Sequence, residues 1–172
     1  MPTVRLASFH RLGFATSFAL VVAACGEPAA DAPTVYRLST DAVAVTGGDI
    51  QGGPSDKNTE VMAYKGLPFA APPIGDLRWR PPAPVVGWNG IRDATKTGAI
   101  CVQNGGQNVM QDEDCLFLNV WAPVERTEAL PVMFWIHGGG YTGGSGSSAL
   151  YDGTPLGADA AVVVTINYRL NV

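Results

Sequence analysis

The sequence contains few residues that could ligate a metal ion or bind nucleic acid. Two of its 172 residues are histidine, three are cysteine, and no Cys-x-x-Cys motif occurs. A structural zinc site needs about four such ligands, so we predict no metal site. Acidic residues outnumber basic ones by 15 to 11, which gives a formal net charge of −4. This acidic balance argues against nucleic acid as a partner.

Long hydrophobic runs are also scarce. The apolar run Leu12–Ala23 has twelve residues, whereas a membrane-spanning helix needs about 20. Arg5 and Arg11 supply a positive region before this core, an arrangement typical of a signal peptide. The run ends in VAAC at Cys25, which resembles a bacterial lipobox. We predict a lipoprotein-type signal peptide over residues 1–24 with lipidation at Cys25; the alternative is an ordinary Ala-x-Ala cleavage region that happens to contain a cysteine.

Small, proline-rich and acidic residues follow the cysteine, reading GEPAADAP over 26–33. Such a segment has nothing to bury, and we predict a flexible tether over residues 25–34. Residues 35–172 then form the folded part, since the chain has a globular composition, 47% hydrophobic and 15% charged. We expect an exported protein that is held at the membrane of the bacterial cell envelope through Cys25, with secretion as the alternative.

Export also bears on the remaining cysteines. If Cys25 is acylated, Cys101 and Cys115 are left as a pair in an oxidising compartment, where disulfides form. We predict a Cys101–Cys115 disulfide that closes a short loop. Two buried free thiols are the alternative.

Short strands are predicted early in the folded part. Alternating or β-branched residues indicate strands at Tyr36–Leu38 and Ala42–Thr46, and Glu60–Tyr64 is a further strand candidate. We expect these strands to form a small antiparallel sheet. The next segment, Leu67–Trp88, contains six prolines, which rule out regular helix and disfavour a central strand. We predict a packed, extended surface loop there.

Three further strands are predicted at Cys115–Ala122, Pro131–Ile136 and Ala160–Ile166. The last two are continuous apolar runs, typical of central strands that are covered on both faces.

The second of these strands runs directly into three glycines, in the sequence PVMFWIHGGG over 131–140. Glycines lack Cβ atoms, so the backbone can approach a substrate closely and direct its N–H groups at one point. Such a group of donors suits the oxyanion that develops during acyl transfer, and HGGG after a buried strand is a known oxyanion-hole motif of lipases and esterases. The alternative is a glycine-rich turn without function.

A dinucleotide site is the competing interpretation, because Gly138, Gly140 and Gly143 also satisfy G-x-G-x-x-G. That site requires a helix that begins within the glycines and an acidic residue roughly 20 positions later. The chain continues instead as YTGGSGSSALYDG, which is too rich in glycine and serine to begin a helix there.

Five segments carry further motifs in a fixed order along the chain. They are Tyr64–Ala70 (YKGLPFA), Pro72–Trp79 (PPIGDLRW), Glu113–Trp121 (EDCLFLNVW), Trp135–Tyr141 (WIHGGGY) and Asn167–Leu170 (NYRL). Over about residues 40–172 the chain resembles the type-B carboxylesterase family, the cholinesterase-like and para-nitrobenzyl esterase-like lipases and esterases of the α/β-hydrolase fold. The resemblance implies an α/β fold in which a small antiparallel sheet leads into the first strands of a central mixed sheet.

By that resemblance, Gly139 and Gly140 supply two oxyanion-hole donors and Tyr141 lines the acyl side of the substrate pocket. A small-molecule carboxylic ester is the implied substrate, and no cofactor is implied. The family's nucleophilic serine lies in G-x-S-x-G, which occurs nowhere in the 172 residues. We therefore expect this chain to be the N-terminal part of an esterase that stops before the nucleophile elbow and to be inactive alone.

The resemblance implies structural roles for other residues. His137 precedes any possible nucleophile, which does not fit the order serine, acid, histidine of this fold, so we expect it to brace the oxyanion loop. Arg78 and Glu113 match a family ion pair, and Arg169 matches an arginine whose partner would lie further along the chain.

Two non-catalytic functions are the alternatives to ester hydrolysis. The cholinesterase-like fold also serves as a binding module when its nucleophile is lost. The chain could equally be a non-functional lipoprotein fragment.

Overall fold

A computed structural model describes residues 34–105, 108–159 and 161–171. These residues belong to the second of two compact units of the chain, Pro33–Val172. The predicted signal peptide, Cys25 and nearly all of the predicted tether lie outside the described residues. The described part contains twelve strands, one α-helix and two short 3-10 helices, at Gly75–Leu77 and Ala149–Tyr151. The strands and the helix are β1 Tyr36–Arg37, β2 Val43–Val45, β3 Gly48–Gln51, β4 Gly53–Ser55, β5 Asn58–Pro68, β6 Ile91–Asp93, β7 Ile100–Cys101, β8 Gln111–Asp112, β9 Phe117–Pro123, β10 Glu125–Arg126, β11 Val132–Ile136, α1 Thr154–Ala158 and β12 Val162–Ile166.

The largest sheet has five strands in the order β11-β12-β9-β5-β4. β11 and β12 run parallel, whereas the other neighbours are antiparallel. Parallel neighbours need a crossover connection, and here it contains the three glycines, the second 3-10 helix and α1. The sheet is therefore mixed, as the sequence predicts.

Both faces of β5 are covered, which explains its continuous run of buried residues over 61–64. Val61 and Ala63 form a buried cluster with Trp121 and Val163, on the face that α1 also contacts. Met62 and Tyr64 pack on the other face in a second buried cluster with Ile50 and Ala94. Burial raises the pKa of the Tyr64 hydroxyl.

The early strands differ from the expectation in two respects. β2, β3 and β6 form a three-stranded sheet, but β3 pairs parallel to β6. The segment Glu60–Tyr64 does not belong to that sheet, because it lies in β5 and pairs with β9 in the central sheet. The expectation was wrong because residues 61–64 of β5 are all buried, which is typical of a strand inside a sheet that is covered on both faces and not of a small surface sheet. In the proline-rich segment, the first 3-10 helix is the one regular element that the structure describes between β5 and β6.

β11 also differs from the expectation of a strand covered on both faces. It is an edge strand that pairs with β12, and all five of its residues are exposed. Phe134 and Ile136 are 55% and 62% accessible. Within the described residues, no layer covers this strand. β12, which has a neighbour on each side, alternates instead between buried and half-buried residues.

Polar contacts attach the start of α1 to the sheet. The Thr154 hydroxyl shares a buried hydrogen bond of 2.6 Å with Ser55 in β4. The Asp152 carboxylate accepts the Thr154 N–H at 2.9 Å and lies 3.0 Å from the Lys57 ammonium. Burial raises the pKa of Asp152, but the hydrogen bonds from Thr154 and Lys57 outweigh it and leave this pKa below its usual range.

Candidate active site

The candidate site is the turn that follows β11. After the buried His137, the chain passes through Gly138, Gly139 and Gly140, all exposed. Gly139 has φ +122° and Gly140 has φ +59°, values that glycine adopts without steric cost. Tyr141 continues in the left-handed region with φ +61°, which is uncommon for a residue with a side chain.

Gly139 is the one glycine of the three at which the position of a Cβ atom is already occupied. A Cβ atom built on it would lie 1.9 Å from the carbonyl oxygen of Gly143. A Cβ atom on Gly140 would meet nothing within 4 Å. The backbone of Gly139 therefore packs directly on the Gly143 peptide, whereas Gly140 faces open space.

Hydrogen bonding within the turn leaves donors unused. The Gly139 carbonyl accepts the Thr142 N–H at 3.1 Å and the Thr142 hydroxyl at 3.0 Å. Among the described residues, no acceptor pairs with the N–H groups of Gly139 and Gly140. Two backbone donors on one exposed turn can hold a negatively charged oxygen.

His137 supports this turn from the protein interior. Its ring is 3% exposed and stacks on Tyr168, with centroids 4.2 Å apart and planes 12° apart. Nδ1 donates to the Gly138 carbonyl at 2.8 Å, and the Tyr168 hydroxyl donates to the His137 carbonyl at 2.7 Å. Nε2 is buried and has no partner among the described residues. The ring thus contacts the glycine turn without facing solvent.

Two buried asparagines, which the sequence analysis did not single out, fix the chain just beyond the turn. The Asn167 side-chain oxygen accepts the Gly146 N–H at 2.9 Å, and its NH2 group donates to the carbonyls of Ala99 and Cys115.

The second asparagine, Asn119, reaches the same segment through a threonine. The Asn119 oxygen accepts the Gly66 N–H at 3.0 Å. Its NH2 group donates to Thr165 at 3.1 Å, and the Thr165 hydroxyl donates in turn to the Gly146 carbonyl at 2.7 Å.

A third amide, Gln103, binds Gly144, two residues earlier in the same segment. Its oxygen accepts the Gly144 N–H at 2.8 Å, and its NH2 group donates to the Gly144 carbonyl at 2.9 Å. A sequence signal existed for the two asparagines, since each interrupts or ends an apolar strand and must find partners when buried. Gln103 lies in a polar loop and gives no comparable signal.

The other residues predicted from the sequence lie near the glycine turn and the segment that follows it. Cys101 and Cys115 form a disulfide, which confirms the predicted pairing and excludes two free thiols. Arg78 donates two hydrogen bonds to Glu113, at 2.8 and 2.6 Å, and this partner raises the pKa of Arg78. The pair is exposed, so its contribution to stability is small. Arg169 donates to the Arg80 carbonyl at 2.8 Å.

Tyr141 is 68% exposed, and its ring meets Tyr168 edge-on at 6.0 Å. Its carbonyl accepts the Asn171 N–H at 2.7 Å. Asn171 also lines a cavity of about 210 Å³ beside the disulfide, together with Arg78, Trp79 and Arg169. The structure thus brings His137, Gly139, Gly140 and Tyr141 together and places Arg78, Glu113 and the disulfide in a neighbouring group.

Two other kinds of feature are absent from the described residues. No group of three or more His, Cys, Asp or Glu residues in the described ranges is arranged to hold a metal ion. In those ranges, the structure contains no helix of the length and hydrophobicity that a membrane crossing requires.

Comparisons with known proteins identify relatives of this arrangement. Residues 39–172 match the carboxylesterase family. The chain is 47% identical over 119 residues to fumonisin B1 esterase from Sphingopyxis macrogoltabida, an alignment that covers 66% of this chain and 22% of the relative. It is 46% identical over 118 residues to para-nitrobenzyl esterase from Bacillus subtilis (strain 168), with 64% of this chain and 24% of the relative covered.

A solved structure of PNB esterase is similar to this chain, with a TM-score of 0.71 and 41% identity. The alignment covers 77% of this chain and 27% of that structure. The chain thus spans about a quarter of the length of its relatives. The similar solved structures are esterases of the α/β-hydrolase fold, and the chain belongs to the carboxylesterase family.

Proposed function

We propose that this chain supplies the oxyanion hole of a serine esterase that hydrolyses carboxylic esters. The observation that carries the proposal is the exposed turn in which the N–H groups of Gly139 and Gly140 have no acceptor among the described residues. These donors would stabilise the negative oxygen that forms when a nucleophile attacks the ester carbonyl. Membership of the carboxylesterase family supports the same reaction class.

The nucleophile belongs to a different part of the active site. No G-x-S-x-G occurs in residues 1–172, so on this proposal a serine outside these residues attacks the carbonyl and water then releases the acyl group. His137 braces the glycine turn and does not act as the base, because its ring is buried and hydrogen-bonded to that turn. Tyr141 lines the acyl side of the pocket.

The test compares the full-length protein that contains this sequence with residues 25–172 alone. We expect the full-length protein to hydrolyse p-nitrophenyl acetate and to lose activity when a phosphonate labels its serine. Residues 25–172 should show no turnover above the uncatalysed rate, because oxyanion donors have nothing to stabilise without a nucleophile. Turnover by residues 25–172 that resists phosphonates would contradict the proposal, as would a folded full-length protein that is inert towards a panel of simple esters.

We further propose that the protein is exported and anchored in the bacterial envelope through a lipid on Cys25. The VAAC sequence that ends at Cys25 supports this, and the Cys101–Cys115 disulfide is typical of an oxidising compartment. Cys25→Ser should yield an unprocessed precursor or release the protein from the membrane fraction. Cys25→Ser protein that is processed and fractionated like the wild type would refute the anchor.

A further inference from the structure

Gln103 joins the disulfide to the segment that follows the glycine turn. Its NH2 group donates to the carbonyl of Cys101 at 3.0 Å and to that of Gly144 at 2.9 Å, and its oxygen accepts the Gly144 N–H at 2.8 Å. We propose that Gln103 is a positioning residue that sets the placement of the Gly139 and Gly140 N–H groups. This inference rests on the proposed role of those groups as oxyanion donors.

The side-chain amide of Gln103 is fully used. A primary amide has two N–H donors and one carbonyl acceptor, and here the two donors bind two carbonyls while the acceptor binds one N–H. The reversed orientation would set an NH2 group against the Gly144 N–H. A carboxylate would set negative charge against two carbonyl oxygens. Only an amide in this orientation satisfies all three partners.

The connection from Gln103 to the turn runs through one peptide unit. The N–H of Gly144 and the carbonyl of Gly143 belong to the same planar group. Gln103 accepts the Gly144 N–H of this peptide group. The Gly139 backbone packs on the Gly143 carbonyl oxygen of the same group, so closely that a Cβ atom on Gly139 would lie 1.9 Å from that oxygen. The orientation of this peptide therefore decides where the Gly139 backbone lies.

Gln103 is placed so that its loss need not disrupt the core. It lies in a loop and is half-buried, whereas Asn119 and Asn167 are 2% exposed among the strands of the central sheet. Its own N–H donates to the Gln111 side chain at 2.8 Å, so the main chain at this position is held independently of the Gln103 amide. A substitution at Gln103 should therefore act on the loop more than on the fold.

The experiment measures kcat and KM of the full-length protein for p-nitrophenyl acetate between pH 5.5 and 8, in the wild type, Gln103→Glu and Gln103→Ala. A displacement of about 1 Å at a reacting group can lower the rate about 100-fold. We expect kcat to fall about 10- to 100-fold in both variants at pH 8 while KM changes less than about threefold, because the lost geometry matters in the transition state.

The pH profile separates positioning from a general loss of stability. In Gln103→Glu, two facing carbonyls should raise the pKa of the new carboxyl above the ordinary value of about 4.3. As the pH falls, the protonated carboxyl regains an O–H donor for a carbonyl and removes the repelling charge. We expect the ratio of the Gln103→Glu rate to the wild-type rate to rise at least about threefold from pH 8 to 5.5, and the Gln103→Ala ratio to stay flat.

Gln51→Glu is the matched control. The Gln51 amide donates to the Thr40 carbonyl at 2.8 Å, on the small sheet, so the same substitution there should leave kcat and its pH profile unchanged. An active wild type with Gln103 variants within twofold of its kcat would overturn the inference. So would a Gln103→Glu ratio that stays flat with pH, or the loss of folded protein in both Gln103 variants, whereas an inactive wild type would refute the proposed function itself.

Discussion

Replacement of Gly139 by alanine in the full-length protein should remove most of the ester hydrolysis. The new methyl group would lie 1.9 Å from the Gly143 carbonyl oxygen, where ordinary contact begins at 3.4 Å, so one of the two must move by about 1.5 Å. The backbone must also leave φ +122°, which residues with a side chain rarely adopt. A shift of this size takes the Gly139 N–H out of hydrogen-bonding range of an oxyanion. Loss of one such donor lowers kcat about 100- to 1,000-fold, or roughly 3 to 4 kcal/mol of transition-state stabilisation.

The assay is steady-state hydrolysis of p-nitrophenyl acetate, with kcat and KM determined separately. We expect KM to change little, because the lost hydrogen bond forms only in the transition state. Gly90→Ala is the control for backbone strain, since Gly90 has φ +73° and open space around it. That variant should lose about 1 kcal/mol of stability and no activity. A Gly139→Ala protein that is folded and keeps kcat within threefold of the wild type would refute our reasoning about this turn.

Three further predictions concern stability and are measured by denaturant unfolding of the wild type and each variant. Replacement of Cys101 and Cys115 by alanine should lower the free energy of unfolding by about 3 kcal/mol, because the disulfide closes a loop of about 15 residues; a loss below about 1 kcal/mol would count against this. The ionised form of Asp152 is favoured in the folded state, so its contribution should be complete above the ordinary pKa of about 3.9 and vanish as the pH falls through the lower folded-state pKa. Asp152→Asn should therefore destabilise the protein at pH 7, by an amount that shrinks as the pH falls below about 3.9, and a loss that does not change with pH would contradict this. Asn119→Leu should cost about 2 to 3 kcal/mol, because the buried Gly66 N–H loses its acceptor, and an unchanged midpoint would show that this N–H finds another partner.

Sequence patterns predicted which segments are strands better than they predicted which other parts of the chain pair with those strands or cover them. The apolar runs at Pro131–Ile136 and Ala160–Ile166 are strands β11 and β12, as expected. The first run was also expected to be covered on both faces, but within the described residues β11 is an exposed edge. A continuous apolar run indicates that the side chains of a strand are favoured in a buried environment. It does not indicate which other part of the chain covers the strand.

A local pattern also could not predict the sheet to which the strand at Glu60–Tyr64 belongs. This segment was correctly predicted to be a strand, yet nothing in its residues distinguishes a neighbour in the small sheet from β9, more than fifty residues later in the chain. The disulfide could be predicted because removal of Cys25 from the pool left only one possible pair. Where a strand has many possible neighbours, a local sequence pattern does not determine which of them it pairs with.

The candidate site contains residues that a local sequence pattern could predict and residues that it could not. Gly139 and Gly140 could be proposed from the sequence because a glycine run is itself a conformational signal. The side chains that hold the segment beyond the turn come from other parts of the chain: Gln103 reaches Gly144 across 41 residues, and Asn167 reaches Gly146 across 21. Each of these amides is an ordinary polar residue until the sheet brings it to the segment beyond the glycines.

This arrangement has a consequence for how the turn keeps its shape. Glycine allows the left-handed backbone of the turn but does not enforce it, because glycine is also the residue with the most conformational freedom to lose. The placement of the two N–H groups must therefore come from the contacts around them, which are the Gly143 carbonyl, the His137 ring and the amides that bind Gly144 and Gly146. Because those amides are anchored on the carbonyls of Cys101 and Cys115, the contacts that place the turn connect it to the disulfide region and to the central sheet.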